Sequence, residues 1–396
     1  MTGRRHGTRS LLIIAVMLAG APALVANAAP QRGGATGAEL PPAAGWQQAE
    51  ALAVNDRGTV VGESADAAVP STRSVATRWD RGGRATVLPT PTGMPHSSAT
   101  AVDDRGDVVG NAVDSNGSTG HALRWDAAGR LTQLDPGSGD SGVVALNAAG
   151  VAVGWETTPD GSQTQAVRWD AFGRTTTLDP LAGATGYRPV AINEANTVVG
   201  AVYLADNSVH AVRWNAAGRV TELASLPGGG SWGATGLSPD GTVIGYSDTA
   251  SGQWHAVRWS ASGRITDLGT IAGGNWSTAV AVNRYDLIAG EATTADYQQN
   301  AVRWSRAGTL TDLDTLAGGT ASWVVAINDG GVVAGYTSTP AAYRAVRWNG
   351  LGRATDLSLI PGTNNSMATG LNAGGTVVGY EWDDQTSSYH AVRWAM

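Results

Sequence analysis

Short apolar runs with β character alternate with tight turns along the chain, and they recur in groups of four. One group consists of AVAVN at 279–283, LIAG at 287–290, NAVRW at 300–304 and TLTDL at 309–313. Gly, Asn or Asp ends the turn after the first run and the turn after the third, which supplies the positive φ that hairpin turns require. No helical period of useful length is present. The pattern predicts four antiparallel strands in each group.

Two landmarks show that these groups are copies of one unit. A glycine ends the second run of each group, from Gly62 to Gly379, and recurs every 44 to 48 residues. An Arg-Trp pair ends the third run, and its Trp recurs every 44 to 46 residues, so the chain contains eight repeats. The pairs are Arg78-Trp79, Arg124-Trp125, Arg168-Trp169, Arg213-Trp214, Arg258-Trp259, Arg303-Trp304, Arg347-Trp348 and Arg393-Trp394.

Four antiparallel strands in about 45 residues are typical of a propeller blade, so the sequence predicts an all-β, eight-bladed β-propeller. A β-solenoid is the alternative, but its coils are usually shorter and do not contain two hairpins. The last unit ends after its third strand, and Ala38-Glu39-Leu40 matches the fourth strand that is missing there. We therefore expect the N-terminal strand to complete the last blade, which closes the ring and removes exposed sheet edges.

The third strand predicts how neighbouring blades pack. Its alternation places Val212 and Trp214 on one face, and Ala211 and Arg213 on the other. Face-to-face packing would bury each Trp as a wedge that removes about 150–250 Å² from water. A buried Arg needs a partner, and an acid nine residues later is expected on the same sheet face. The predicted ion pairs are Arg213/Glu222, Arg258/Asp267, Arg303/Asp312, Arg347/Asp356 and, through ring closure, Arg393/Glu39.

The N-terminus has the pattern of an export signal. Three arginines precede the apolar run LLIIAVML, and small residues follow up to Ala28. This pattern predicts a cleaved signal peptide over residues 1–28 and a single propeller domain over 29–396. The apolar run is well short of the roughly 20 residues that a membrane span needs, and no second apolar segment follows. We expect a secreted monomer with no membrane span in the mature chain.

Composition narrows the possible functions. The 396 residues carry a net charge of −7, and they include neither Cys nor Lys. The lack of Cys excludes disulfides, thiolate metal sites and cysteine nucleophiles. The acidic balance argues against a nucleic-acid partner. Histidines begin several third strands without the spacing of metal ligands, so neither a metal nor a cofactor is predicted. These histidines are His121, His210, His255 and His390.

Binding is expected on one face of the disc. The turns between strands 1 and 2 and between strands 3 and 4 are short and uniform. The 2–3 and 4–1 loops on the opposite face are longer and vary, as binding loops on rigid scaffolds do. Aromatic residues concentrate there, either as stacking surfaces for sugars or as caps on the core at strand ends. The candidate ligand-binding residues are Trp46, Trp155, Tyr187, Trp232, Trp276, Trp323 and Trp382.

Three functions fit this face. The favoured one is a secreted, non-catalytic protein that binds an extracellular glycan or cell-wall polysaccharide. A polysaccharide hydrolase or lyase would need two carboxylates about 5–10 Å apart, and Glu381, Asp383 and Asp384 are the local cluster among several acids on this face. A surface adhesion or structural protein with a protein partner is the third. A buried acidic pair in the central depression without a neutralising Arg would favour the enzyme, whereas exposed rim aromatics without such a pair would favour the binder. Rim aromatics buried between blades would favour protein contacts or a purely structural role.

The units resemble the HAF-type extracellular repeat, which is named for the sequence His-Ala-Phe. The clearest copy is HAVRW at 255–259, followed by ITDLGTIAGG at 265–274 and AVN at 281–283. The resemblance extends over essentially the whole mature chain. It departs at the Phe position, which is Val or Leu here and is followed by Arg and Trp. The resemblance implies secretion or surface display, and it implies no catalytic residues.

Overall fold

All regular secondary structure in the described part of the chain is β-strand, in a computed structural model. The strands form four-stranded antiparallel sheets in which neighbours in sequence are neighbours in space, an arrangement typical of a β-propeller. No helix in this part is long and apolar enough to cross a membrane. The predicted signal peptide lies outside the described residues. These are residues 37–67, 73–115, 117, 119–135, 139–158 and 161–395.

Each unit contains two long inner strands, a third strand of six residues and a short outer strand. One parallel pairing, between Ser74 and His96, joins the sheets of the first two units. The strands of the first four units, preceded by an N-terminal strand, are β1 (Gly37–Leu40), β2 (Gln48–Val54), β3 (Val60–Ala65), β4 (Ser74–Trp79), β5 (Ala85–Val87), β6 (His96–Val102), β7 (Val108–Val113), β8 (Gly120–Trp125), β9 (Leu131–Gln133), β10 (Ser141–Leu146), β11 (Ala152–Thr157), β12 (Thr164–Trp169), β13 (Thr175–Thr177), β14 (Ala184–Ile192), β15 (Val198–Leu204), β16 (Val209–Trp214) and β17 (Val220–Glu222).

The second half of the chain repeats this order, and the predicted boundaries agree with the observed ones to within a few residues. The largest difference is that the second strand extends beyond the landmark glycine. The strands are β18 (Trp232–Leu237), β19 (Val243–Asp248), β20 (Trp254–Trp259), β21 (Ile265–Gly269), β22 (Ser277–Val282), β23 (Ile288–Thr293), β24 (Gln299–Trp304), β25 (Leu310–Asp312), β26 (Ala321–Ile327), β27 (Val333–Ser338), β28 (Tyr343–Trp348), β29 (Ala354–Asp356), β30 (Asn365–Leu371), β31 (Val377–Trp382) and β32 (Tyr389–Trp394).

The N-terminal strand occupies the outer position of the last unit. β1 pairs with β32 in antiparallel register, with Glu39 opposite Val392, and the sheet order is β1-β32-β31-β30. Leu40 of β1 is only 1% exposed and packs in a cluster with residues of the first and last units. The first and last units are also joined by the Thr369 hydroxyl, which donates to the carbonyl of Ala51 at 2.7 Å.

The hydrophobic core lies between the units rather than inside each one. One cluster, for example, combines Ile244 and Leu268 of the fifth unit with Ile288 and Trp304 of the sixth. The eight repeated Trp side chains are at most 1% exposed, which confirms their predicted burial. The Trp304 indole also donates to the carbonyl of Leu268 in the preceding unit at 2.8 Å. Each Trp therefore provides both apolar area and, in most units, a hydrogen bond between neighbours.

The landmark glycine is required by a bulge in the first strand. In the seventh unit the register shifts between Val324 and Ala326, and Gly335 lies opposite this irregularity. A Cβ atom on Gly335 would overlap the main-chain carbonyl of Trp323. The corresponding glycines of the other units have the same close approach, so only glycine allows the two inner strands to pair there.

The predicted Arg–acid ion pairs are wrong because the outer hairpin pairs one residue out of the expected register. Thr221 lies opposite Arg213, and Glu222 lies opposite Val212, so the acid points to the other sheet face. Glu222 instead lies 2.6 Å from Nδ1 of His210, and Arg213 donates to the carbonyl of Ala261 in the next unit. The same register rules out all five predicted pairs, Arg213/Glu222, Arg258/Asp267, Arg303/Asp312, Arg347/Asp356 and Arg393/Glu39.

Candidate functional site

One pair of positions varies between units although its surroundings repeat. It consists of the residue immediately after the landmark glycine and the residue twelve positions before that glycine, which lie directly opposite each other on the two inner strands. The repeated Gly, Arg and Trp build the scaffold, so variation at this pair is available for function. The eight pairs are Glu50/Glu63, Ser98/Asn111, Gly142/Trp155, Arg188/Ala201, Gly233/Tyr246, Thr278/Glu291, Trp323/Tyr336 and Met367/Tyr380.

Acids or aromatic rings occupy this pair in the sixth, seventh, eighth and first units, and a single aromatic ring occupies it in the third (Trp155) and the fifth (Tyr246). The Trp323 and Tyr336 rings stack with centroids 5.0 Å apart, and the Tyr380 and Trp382 rings lie 5.7 Å apart. The ring of Tyr343 connects these two pairs of rings, because it lies 6.2 Å from the ring of Trp382. We call this set the acid–aromatic arc, and it comprises Glu50, Glu63, Glu291, Trp323, Tyr336, Tyr343, Tyr380, Trp382 and Tyr389.

Two carboxyl groups of the arc oppose each other. Directly opposed residues on antiparallel strands have Cβ atoms about 4.5–5.5 Å apart, so the side chains of Glu50 and Glu63 share one space. Burial and, as a smaller cause, the negative charge of Glu63 together raise the pKa of Glu50 to about 8. Burial raises the pKa of Glu63 to about 7, although a hydrogen bond from Ser98 opposes the shift. Near neutral pH this pair therefore retains protons that exposed carboxyls would lose.

The other end of the arc has similar chemistry. Burial raises the pKa of Glu291 to about 7, partly offset by the Val324 amide, which donates to Oε1 at 3.2 Å. Burial and the nearby Glu291 charge raise the pKa of Tyr336 to about 12. Burial and the Glu50 charge also hold the pKa of Tyr380 above its usual range. At neutral pH the arc thus combines aromatic rings, phenol hydroxyls and partly protonated carboxyls.

No described arginine forms an ion pair with a carboxyl of the arc. Arg344, which lies in the adjacent β28, instead donates to Asp356 at 2.9 Å. Among the described residues, no three His, Asp or Glu side chains are placed to hold a metal ion together. The carboxyl groups of the arc therefore have no counter-cation from the described part of the fold.

Two of the seven aromatic residues predicted as ligand contacts lie in the arc: Trp323 is partly exposed, whereas Trp382 is only 7% exposed and packs against the neighbouring rings. Trp232 is 8% exposed, stacks on His210 and donates its indole N–H to the carbonyl of Leu223 at 2.6 Å. Its side chain therefore serves packing. Four others are partly exposed and make no ring contact with the arc, namely Trp46, Trp155, Tyr187 and Trp276.

The acids that cluster in the sequence hold a loop in place. Glu381 is fully buried, and its Oε2 accepts hydrogen bonds from the Ile360 amide at 2.8 Å and the Thr363 hydroxyl at 2.6 Å. Asp383 accepts hydrogen bonds from main-chain amides in its own turn. Asp384 accepts a hydrogen bond from the indole N–H of Trp382 at 3.1 Å. The three carboxyls thus have separate local partners and do not form a facing pair.

A cavity lies at the opposite end of the units from the arc, between the 1–2 turns. It has a volume of about 350 Å³ and is lined by residues of seven units. Asn side chains link neighbouring turns around it, as where Asn283 Nδ2 donates to the Asn328 carbonyl at 3.0 Å. Asn372 donates in the same way to the Asn55 carbonyl at 3.0 Å. These side-chain amides therefore connect neighbouring turns to one another.

Comparison with known proteins supports the fold class. No protein-family model matches the chain, and no curated protein matches it. A prolyl endopeptidase structure is similar with a TM-score of 0.55 and 12% identity, over 75% of this chain and 50% of that one. A streptogramin B lyase (TM-score 0.46, 14% identity, 91% of this chain and 97% of that one) and the β-propeller domain of the Trilobed protease from Pyrococcus furiosus (0.49, 9%, 88% and 93%) are also similar. The likeness concerns the fold, and the chain is a protein of the β-propeller class.

Proposed function

We propose that this chain is an exported, closed eight-bladed propeller that binds an extracellular glycan at the acid–aromatic arc and does not cleave it. The closed ring is supported by bonds that join the last unit to the first in the same way as consecutive units are joined. Asn372 donates to the Asn55 carbonyl as Asn283 donates to the Asn328 carbonyl, both at 3.0 Å. The outer position of the last unit is occupied by β1.

The observation that carries the proposal is the continuous set of six rings flanked at both ends by carboxyls. Sugar rings present C–H faces that pack on aromatic side chains, while their hydroxyls need hydrogen-bond partners at the edge. Trp323, Tyr336 and Tyr343 supply the faces in one unit, and Tyr380 and Tyr389 supply them in the next. A partly protonated carboxyl can both donate to and accept from a sugar hydroxyl.

Hydrolysis is the second candidate, because Glu50 and Glu63 form a half-buried acidic pair of the kind that a polysaccharide-cleaving enzyme would need. Acid and base roles require environments that push the two pKa values apart. Here burial raises the pKa of both carboxyls, to about 8 and about 7, which suits a general acid but leaves no carboxyl of ordinary pKa in the pair to act as the ionised nucleophile. This common shift favours binding over cleavage.

A binding screen tests both candidates. The mature protein is applied to soluble oligosaccharides and cell-wall polysaccharides, beside the variant Trp323→Ala and the matched control Trp276→Ala. Trp276 is a partly exposed Trp outside the arc. We expect the arc variant to lose at least about tenfold in affinity, or ~1.4 kcal/mol, while the control keeps it. Equal loss in both folded variants would contradict the site, and release of shorter fragments from a bound polymer would establish the enzyme.

Export is supported by the N-terminal pattern of three arginines, an apolar run and small residues up to Ala28. Expression of the full chain in a secreting host, followed by N-terminal sequencing of the protein in the medium, tests this part of the proposal. We expect the secreted chain to begin at Ala29. Retention of the uncleaved chain inside the cells would contradict export and would leave the binding site proposal unaffected.

A further inference from the structure

We infer that the ligand of the acid–aromatic arc carries a protonated amine, as in a glycan of amino sugars, with the Glu50 and Glu63 carboxyls receiving the ammonium group. This inference rests on the proposed glycan-binding function and names the chemical class of its ligand. The aromatic rings of the seventh and eighth units would flank the sugar.

The eight repeats provide an internal control for the acid pair. The positions of Glu50 and Glu63 are occupied by Ser98 and Asn111 in the second unit, and the remaining units also lack two acids there. Every unit nevertheless has the same bulge, the same glycine and the same buried Trp. The fold therefore does not require two acids at this place, and another cause for their presence is needed.

Two opposed carboxyls inside a fold are unfavourable unless something compensates them. Glu63 receives a hydrogen bond from Ser98, whereas the half-buried Glu50 accepts none from any described residue. No described arginine pairs with either group. Retained protons compensate the pair in the free protein, and a cation from the ligand would replace them, because one ammonium group can donate to both carboxylates.

The rings beside the acid pair also favour a cation. Tyr380 and Tyr389 are close enough to Glu50 for its charge to affect the pKa of both phenols. Their rings lie 5.8 Å apart, and Trp382 contacts each of them. An ammonium group is attracted to such aromatic faces within about 6 Å, most strongly where water is excluded. The net charge of −7 adds a long-range attraction for a basic polymer.

The sign of the pH dependence distinguishes an amine from a neutral sugar. The groups that face the acid pair are Ser98 from the second unit and Tyr380 and Tyr389 from the eighth, and none of them is a cation. A cation of fixed charge binds best after the carboxyls lose their protons, so its affinity rises as pH increases through 7 and 8, whereas a sugar amine itself loses its proton over this range. A neutral sugar that accepts hydrogen bonds from protonated carboxyls binds more weakly over the same range.

The experiment is calorimetric titration of the mature protein with three oligosaccharides of equal length. They are a glucosamine oligomer, its N-acetylated form and a cellulose oligomer, and a trimethylated glucosamine oligomer provides a charge that does not titrate. The variants are Glu50→Gln and Glu63→Gln, with Glu222→Gln on an outer strand as the control. We expect the glucosamine oligomer to bind at least about tenfold more tightly than the other two, and Glu50→Gln to remove this preference.

The outcomes separate the inference from the proposal beneath it. A trimethylated oligomer that binds more tightly at pH 8.5 than at pH 6.5, in the parent and not in Glu50→Gln, supports the amine. Equal binding of all three oligomers, lost in Trp323→Ala, would overturn the amine and leave the glycan site standing. Binding of none of them would overturn the amine as well, and the wider screen would then decide whether any glycan binds.

Discussion

At Gly335 the absence of a side chain decides whether two inner strands can pair. A Cβ atom there would overlap the Trp323 carbonyl, and Trp323 belongs to the acid–aromatic arc. We expect Gly335→Ala to lower the free energy of unfolding by about 1–3 kcal/mol, as overpacking in a core does. Denaturant unfolding followed by Trp fluorescence measures the change.

The matched control for this substitution is Gly350→Ala. Gly350 has open space around its hypothetical Cβ and no positive φ, so the expected change lies within about 0.5 kcal/mol. If Gly335→Ala were as stable as Gly350→Ala, the bulge would adjust to a side chain and the landmark glycine would need another explanation.

The acid pair makes stability depend on pH. The pKa of Glu50 is about 8 and that of Glu63 about 7 in the folded chain, both above the ordinary 4.5. Between pH 4.5 and pH 8 the folded state binds more protons than the unfolded state. The stabilisation that results is fully present below pH 4.5 and is lost as the pH rises toward 8. We expect the thermal midpoint to fall over this range and to fall less in the double variant Glu50→Gln/Glu63→Gln.

Other groups also titrate in this range, so the effect of the acid pair is obtained from the difference between the parent protein and its variants at each pH. Asp240→Asn, at an exposed position in a 1–2 turn, is expected to follow the parent protein at every pH. The double variant should match the parent near pH 5 and exceed it in thermal midpoint at pH 8.5. Parallel curves for the parent and the double variant would show that the two carboxyls have ordinary pKa values.

At the scale of the element, the third strand connects neighbouring units. Trp304 of β24 is fully buried and donates to the Leu268 carbonyl, whereas Trp254 at the start of β20 is 38% exposed. We expect Trp304→Phe to lower the free energy of unfolding by about 1–3 kcal/mol through the lost hydrogen bond and apolar contact. Trp254→Phe is the control, with an expected change below about 0.5 kcal/mol. Equal changes in chemical denaturation would contradict the connecting role of Trp304.

The sequence predicts the strands well because each one carries its own pattern of apolar residues and turns. The period, the hairpins and the buried Trp follow from short-range features such as Gly218 at the end of an outer turn, where φ is +81°. The partner of Arg213 could not be predicted in the same way, because a one-residue difference in register moves Glu222 to the other face. The pattern along one strand does not determine that register.

The same limit applies to the candidate site. Glu63, Tyr336 and Tyr380 each follow a landmark glycine, which is a signal visible in the sequence. Glu50 became visible as their neighbour only through strand pairing, although its spacing of twelve residues from Gly62 recurs in every unit. The acid–aromatic arc also joins residues of the first and last units, which are far apart in sequence. Local patterns predict the blades, and contacts between blades create the site.

At the scale of the whole molecule, the N-terminal strand covers an edge of the last unit. Removal of residues 1–40 would expose the β32 edge and leave a cavity where Leu40 packs. It would also remove the contact of 2.8 Å between Glu39 and Nδ1 of His390. We expect the free energy of unfolding to fall by at least about 3 kcal/mol, the combined scale of one buried Leu and the lost strand hydrogen bonds.

Removal of residues 1–36 provides the matched control, because it leaves β1 in place. The shorter truncation should keep the thermal midpoint of the mature protein, whereas the longer one should lower it and promote association through the exposed strand edge. Light scattering and thermal unfolding at several concentrations distinguish these effects. The longer truncation also tests the site, since β32 lies between the exposed edge and β31, which carries Tyr380. Unchanged stability and unchanged glycan binding after removal of residues 1–40 would contradict a ring held closed by its N-terminal strand.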